Sequence, residues 1–216
     1  MSTLEVNKIT PVSGGTSVTL GDSGDTFTIP SGATITNNGT ASGFGLTNWS
    51  ESSGNLLPSN ASYGVYLGVN SATASNLLDD YEEGTFTPTF GGSTTDPTVS
   101  WNTQSGHYTK IGNIVHINLT FYPSAISGGS GNLNIRGLPF TNRNHRAPGS
   151  ILYDRVRVQS NTTTVTPEIE QNTTYMAISE MRQGENETRG FIQVDDLEAT
   201  TSDNPFIQIT ITYTTD

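Results

Sequence analysis

Four carboxylates fall within five residues at Asp79, Asp80, Glu82 and Glu83. Such a run could hold a cation or pair a general acid with a base. It lacks the alternating ligand spacing and central glycine of an EF-hand loop, so the expectation is a solvated structural stretch. Asp195, Asp196 and Glu198 follow an apolar segment and read as an exposed turn. The three histidines, His107, His116 and His145, form no His-x-His pair. An axial cage with one histidine per chain is the alternative for His116, and an ordinary strand position is the simpler reading. No Gly-x-Ser-x-Gly nucleophile elbow occurs. With no Cys, disulfides, thiolate zinc sites and thiol nucleophiles are all excluded. The expectation is therefore no catalytic residue, no metal and no cofactor.

Binding chemistry is better represented. Five of the seven arginines lie in 22 residues, at Arg136, Arg143, Arg146, Arg155 and Arg157, with His145 alongside and Asp154 as the single acid. The local net charge is +4 in a chain of net charge −11. Guanidinium forks match carboxylate and phosphate groups, so the 141–149 loop is a candidate for the anionic sugars of a lipopolysaccharide or capsule. The alternative is ion pairing with Glu168, Glu170 or Glu180 across a subunit interface. Arg155 and Arg157, which alternate with Val156 and Val158, suit that alternative best. Trp101, Tyr122 and Tyr153 stand among polar or turn residues and are candidate ring platforms for sugars, with core or interface packing as the alternative for each. The candidate receptor-binding set is Arg143, His145, Arg146, Tyr153, Trp101 and Tyr122.

The elements that must carry these residues are read from a polar composition. Of 216 residues only 32% are hydrophobic and 13% charged, while Thr, Ser, Asn and Gly number 34, 23, 19 and 23. So little apolar surface offsets the ordering entropy of a full-length monomer poorly; the chain is either partly disordered or buries its apolar residues against its own copies. No apolar run approaches 18 residues, so no membrane span or insertion is expected. The first residues lack a basic region followed by an apolar one, and no signal peptide is expected. Overall acidity argues against nucleic acid as a partner.

Helical periodicity is almost absent and period-2 alternation recurs, which predicts an all-β chain. Short Thr-rich strands are expected near residues 16–20, 26–29 and 33–36, too short to stand alone in water. Three chains wound together would let Val18, Leu20, Phe27, Ile29 and Ile35 share an axial core. Residues 46–84 read as a Gly-, Ser- and Asn-rich neck, with a short helical turn over Ser75–Gly84. From residue 85 to 216 the strands lengthen into a head. They include 85–90 with Pro88 at an edge or strand end, a hairpin over 106–121 turning at Gly112-Asn113, then 133–136, 150–153, 156–158, 174–178 and 190–194. The last, Phe206–Tyr213, alternates cleanly. Such spacing describes an antiparallel sandwich.

Three stretches of the head and its approach are Leu78-Asp79-Asp80-Tyr81-Glu82-Glu83-Gly84-Thr85-Phe86-Thr87-Pro88, Gly106-His107-Tyr108-Thr109-Lys110-Ile111-Gly112-Asn113 and Gly137-Leu138-Pro139-Phe140. Two more lie near the N-terminus, Val6-Asn7-Lys8-Ile9-Thr10-Pro11 and Ile29-Pro30-Ser31-Gly32-Ala33-Thr34-Ile35. Together they resemble the tail fibre or receptor-binding proteins of tailed bacteriophages of the marine and cyanobacterial type. The resemblance covers most of residues 1–140 and the last strand, and residues 141–205 show none. It implies a homotrimer in the virion tail. Residues 1–45 would form an intertwined stalk that attaches to a phage tail or baseplate protein. Residues 46–84 would form the neck, and residues 85–216 a jelly-roll-like β-sandwich head. That head would attach the virion to host surface polysaccharide or lipopolysaccharide by multivalent, non-enzymatic binding. A structural capsid or collar fibre and, behind it, a polysaccharide depolymerase spike are the alternatives.

Overall fold

The computed structural model describes residues 48–184, 189–197 and 204–216, with residues 17, 19, 22–24, 26, 28, 31 and 32. The stalk strands expected within residues 1–45 otherwise lie outside the described residues. The unit Asn48–Asp216 begins with two small hairpins. Strands β1 (Trp49–Ser52) and β2 (Asn55–Pro58) turn through Ser53-Gly54, a dipeptide that marks tight turns. Strands β3 (Val65–Tyr66) and β4 (Leu77–Leu78) form the second pair.

The remaining strands are β5 (Tyr81–Phe86), β6 (Thr89–Gly92), β7 (Thr98–Ile111), β8 (Ile114–Ser127), β9 (Leu133–Arg136), β10 (Ala147–Asp154), β11 (Thr162–Ile169), β12 (Tyr175–Arg182), β13 (Arg189–Phe191) and β14 (Phe206–Thr214). They build one antiparallel ten-stranded sheet in the order β5-β7-β8-β14-β10-β11-β12-β9-β6, with β13 on β12. The two layers of the expected sandwich are one sheet curled upon itself. Val115, Ile117, Leu119, Phe121, Ile207, Ile209, Ile211 and Tyr213 from one half meet Phe90, Leu133, Ile135, Ile169, Met176, Ile178 and Ile192 from the other in a single core.

Two corners produce the curl. Thr87-Pro88 separates β5, which pairs with β7, from β6, which pairs with β9. Proline cannot donate to a ladder, so the break falls where one partner is exchanged for another. On β10, Ala147 and Pro148 pair with β11, while Gly149–Asp154 pair with β14. A Cβ at Gly149 would lie 2.7 Å from the Thr210 carbonyl oxygen; only glycine allows the strands that close an approach at this corner.

The β7–β8 hairpin turns at Gly112-Asn113 as expected, with Gly112 at φ +55 in the first central position. The hairpin continues past the expected limits to Thr98 and Ser127. Register shifts on either side of Trp101 let the inward set change from Val99 and Trp101 to Gly106, Tyr108 and Lys110. A single bulge residue achieves this, because the side-chain period of a strand is two. Three local expectations are corrected. The helical turn over Ser75–Gly84 is confined to a 3-10 turn at Ala74–Asn76, since residues 81–86 instead satisfy their backbone groups against β7. Val156 forms only an isolated bridge to Leu197, and β11 is an additional strand.

The β12 residue Glu180 is 2% exposed and accepts hydrogen bonds from Arg182 Nε (2.9 Å), Thr162 Oγ1 (2.8 Å) and the Gln159 N–H (3.3 Å). Burial pushes its carboxyl upward, but these donors outweigh it and hold the pKa below the ordinary value of 4.5. Its contribution is therefore complete above about pH 4.5 and fades as pH falls through the lower folded-state value. Glu180→Gln should destabilise the fold by about 2–3 kcal/mol at neutral pH, the cost of breaking a buried, hydrogen-bonded ion pair. Guanidinium midpoints of the two proteins should converge on acidification below that pH.

Candidate functional site

Strand register sorts the candidate residues onto two ends of the head. Tyr81, Ile111, Ile114 and Thr214 form one cross-strand row where the chain arrives from the neck. Here the Gly112 N–H bonds to the Asp80 carbonyl, and Lys110 pairs with Asp80 beneath the Phe140 ring. Glu82 accepts from the Tyr108 phenol and Glu83 from that of Tyr81 (3.1 Å), raising both phenol pKa values. Three of the four carboxylates in the run, Asp80, Glu82 and Glu83, thus go to separate partners. Among the described residues no group of three or more His, Asp or Glu could hold a metal ion.

The 141–146 loop lies at this same neck end. Its backbone is tied to β14 by Arg143 N–H to the Thr214 carbonyl (2.8 Å). Asn142, 1% exposed, directs its amide nitrogen at the carbonyls of His145 (2.6 Å), Glu170 (3.1 Å) and Ile169 (3.3 Å). Arg143 Nε reaches the Asp216 carboxylate at 2.7 Å, and His145 Nε2 lies 3.2 Å from Thr214 Oγ1. Arg146 bridges to Glu170 at 3.1 Å and approaches Glu168, which also pairs with Arg189. Arg143 and Arg146 are therefore engaged by carboxylates of their own chain, Arg146 by the Glu168 and Glu170 named as the alternative to anion binding, while both side chains remain about half exposed. The other arginines are engaged too: Arg136 with Asp96, Arg155 with Asp154, and Arg157 with the Asp195 carbonyl.

Tyr122, Tyr153 and Trp101 stand at the far end. Trp101 is no open platform: its ring packs against both Phe90 and Phe121, with centroids at 5.0 and 5.3 Å. Tyr153 faces inward and packs partly against the core. Tyr122 is exposed and meets the Phe206 ring edge-on at 6.4 Å. The six candidates are thus divided, with Arg143, His145 and Arg146 at one end and the aromatic residues at the other. An eight-residue strand, β10, intervenes.

Beside Tyr122 and Phe206 an open groove of roughly 400 Å³ crosses the outer faces of β8, β14 and β10. Asn118, Thr120, Ser150, Leu152, Gln208 and Thr210 line it with their side chains, and no charged residue does. A second depression of about 250 Å³ shares Ser150 and Thr210 and continues to His116, Pro148 and Thr212. Gln208 donates to Thr120 Oγ1 (3.3 Å), while His116 contacts Thr212 Oγ1 (2.9 Å) and Asn118 Nδ2 (3.2 Å). Of these residues the sequence singles out His116 alone, as a strand position or an axial ligand; the amide and hydroxyl residues carry no signal of a site. Alternation marks Gln208 and Thr210 as outward-facing, but only the sheet order sets them between β8 and β10.

No family model matches the sequence, and no curated protein matches it. A solved structure, the crystal structure of the Dettilon tailspike protein, is similar over 62% of this chain and 24% of its own, with a TM-score of 0.48 and 19% sequence identity.

The two ties on the basic loop should differ sharply in strength. Arg143→Ser removes an ion pair whose carboxylate is 91% exposed, so it should cost under about 0.5 kcal/mol. Asn142→Ala leaves buried carbonyls without a donor and should cost about 2 kcal/mol. Thermal denaturation of the two variants checks this order.

Proposed function

We propose that this chain is the homotrimeric attachment protein of a tailed bacteriophage, joined to the virion tail through its N-terminal segment and holding host surface glycans without cleaving them. The observation that carries this reading is where the exposed apolar side chains lie. Leu56, Leu57, Val65, Tyr66 and Leu67 in the neck, and Tyr81, Ile111 and Ile114 at the neck end of the head, are 42–62% exposed in the single chain. Two-stranded hairpins are marginal in water, and so many exposed apolar side chains on short hairpins and the adjoining row call for a covering surface. Further copies of the chain would cover it and leave the far part of each head free. The fibre-like motifs over Leu78–Pro88, Gly106–Asn113 and Gly137–Phe140 supply the phage assignment.

On this reading the glycan is held at the amide- and hydroxyl-lined groove across β8, β14 and β10. Three such sites on one fibre would raise avidity without strong individual contacts.

Light scattering of the full chain should give three times its 23.0 kDa mass. Leu56→Ser with Leu67→Ser should shift the protein toward monomer while the far-UV circular dichroism of the head persists. Purified trimer should block phage adsorption to host cells and leave their polysaccharide at its original length. A monomeric wild type, or unimpeded adsorption, would sink the reading; shortened polysaccharide would replace it with the depolymerase alternative.

A further inference from the structure

We infer that the groove across β8, β14 and β10 is the ligand site of the head and that its ligand is a neutral saccharide, bound with one ring against Tyr122 and Phe206. This rests on the attachment-protein reading and names its site and ligand class.

The chemistry of the lining selects the ligand. Asn118, Thr120, Ser150, Gln208 and Thr210 each carry a group that both donates and accepts hydrogen bonds. Sugar hydroxyls have the same dual character, so an amide and hydroxyl ladder satisfies them in either orientation. At the far end the exposed Tyr122 ring, braced edge-on by Phe206, offers an apolar face beside the ladder. Leu152, 61% exposed, adds an aliphatic wall. Convergent polar groups in a concave site beside apolar walls are the ordinary composition of a small-ligand pocket.

Charge excludes the anionic alternative at this place. No Arg, Lys, Asp or Glu lines the groove, although the chain carries a net charge of −11. The single titratable group in the continuing depression is His116, held by Thr212 and Asn118. A second copy of the chain is a poorer occupant, because interface cores are apolar and aromatic while this face is mostly hydroxyl and amide. The apolar rows that suit another copy lie at the neck end.

The groove also has a definite direction. From Thr120 to His116 the two depressions follow β8 for four residues, about 13 Å at the rise of a strand, long enough for more than a single ring, with Tyr122 two residues further along the same face. The braced contacts of Gln208 with Thr120 and of His116 with Asn118 hold its polar groups in place before a ligand arrives.

The test uses the full chain and backbone amide NMR with two probe sets: methyl glycosides of glucose, galactose, mannose and N-acetylglucosamine as neutral probes, and glucuronate and inorganic phosphate as anionic ones. Neutral probes should shift the amides of Asn118, Thr120, Gln208 and Thr210 at millimolar concentrations. Tyr122→Ala should weaken that binding about tenfold, the loss expected for one stacked aromatic contact, and Tyr122→Trp should restore it. Gln208→Ala, outward-facing, should weaken binding with an unchanged amide spectrum elsewhere. No shift in the groove with any neutral probe, or shifts confined to Arg143 and Arg146 with the anionic ones, would overturn the inference. So would a groove occluded in the trimer by a neighbouring copy, seen as protection of these amides without ligand. Trimer that blocks adsorption equally well with Tyr122→Ala and Gln208→Ala would overturn the groove alone. Trimer that never blocks adsorption would overturn the attachment reading beneath it.

Discussion

The head depends on a strand made of the last residues of the chain filling the middle of its sheet. Ile207, Ile209, Ile211 and Tyr213 of β14 all point inward and are nearly fully buried. Each such side chain contributes roughly 1.5–3 kcal/mol relative to exposure, which matters greatly in a protein only 32% hydrophobic. On one side β14 pairs with β8 from Ile114 to Phe121, and on the other with β10 from Gly149 to Asp154. Without it the two strands would have no common partner, and the halves of the curled sheet would not meet. The Tyr213 phenol closes this arrangement by donating to the Phe140 carbonyl at 3.1 Å, and burial raises its pKa to about 12. Pairing across some ninety residues of sequence is slow to establish, because loop-closure entropy is spent before the contacts form.

The same zippering makes the outer surface. Strand side chains alternate between faces, so whenever an isoleucine of β14 is buried, its neighbour is presented outward. Those neighbours are Gln208, Thr210, Thr212 and Thr214. Gln208 and Thr210, set beside Asn118 and Thr120 of β8 and Ser150 of β10, become the groove, and Thr212 lines its continuation. Core and candidate site are therefore two faces of one pairing, and the high Thr content is what an exposed, pleated face favours, since β-branching fits the strand and the hydroxyl faces water.

Much of this was legible where one physical signal dominated. β14 alternates without interruption, β9 is bounded by turn residues, and Gly112-Asn113 marks its hairpin. β11 escaped notice because Thr162-Thr163-Thr164-Val165-Thr166-Pro167 carries a single apolar residue and a proline; its place in the sheet comes from pairing with β12. The Ser75–Gly84 segment lost its expected helical turn to the same kind of non-local pairing, here with β7. The bulge at Trp101 shifts the inward set by one residue, which no periodicity count anticipates. Among candidate site residues, Arg146 and Tyr153 are close in sequence, yet β10 runs between them from the neck end toward the far end, about 25 Å for eight residues. Proximity in sequence was spent on spanning the head.

Charge placement gives the basic island structural work within its own chain. Arg146 and Arg189 converge on Glu168 and Glu170, so an incoming anion would first have to separate pairs that already satisfy each other and would expose a half-buried carboxylate to its own negative charge. Each release sets desolvation against a competing attraction of similar size. The groove carries no such penalty: Thr120 and Gln208 retain spare donor and acceptor capacity after bonding each other, and a sugar hydroxyl replaces water there without displacing an ion pair. Weakness per site follows from the same neutrality. In the proposed assembly it would be tolerable, because a second groove would then meet its ligand at an effective concentration set by the assembly rather than by the solution.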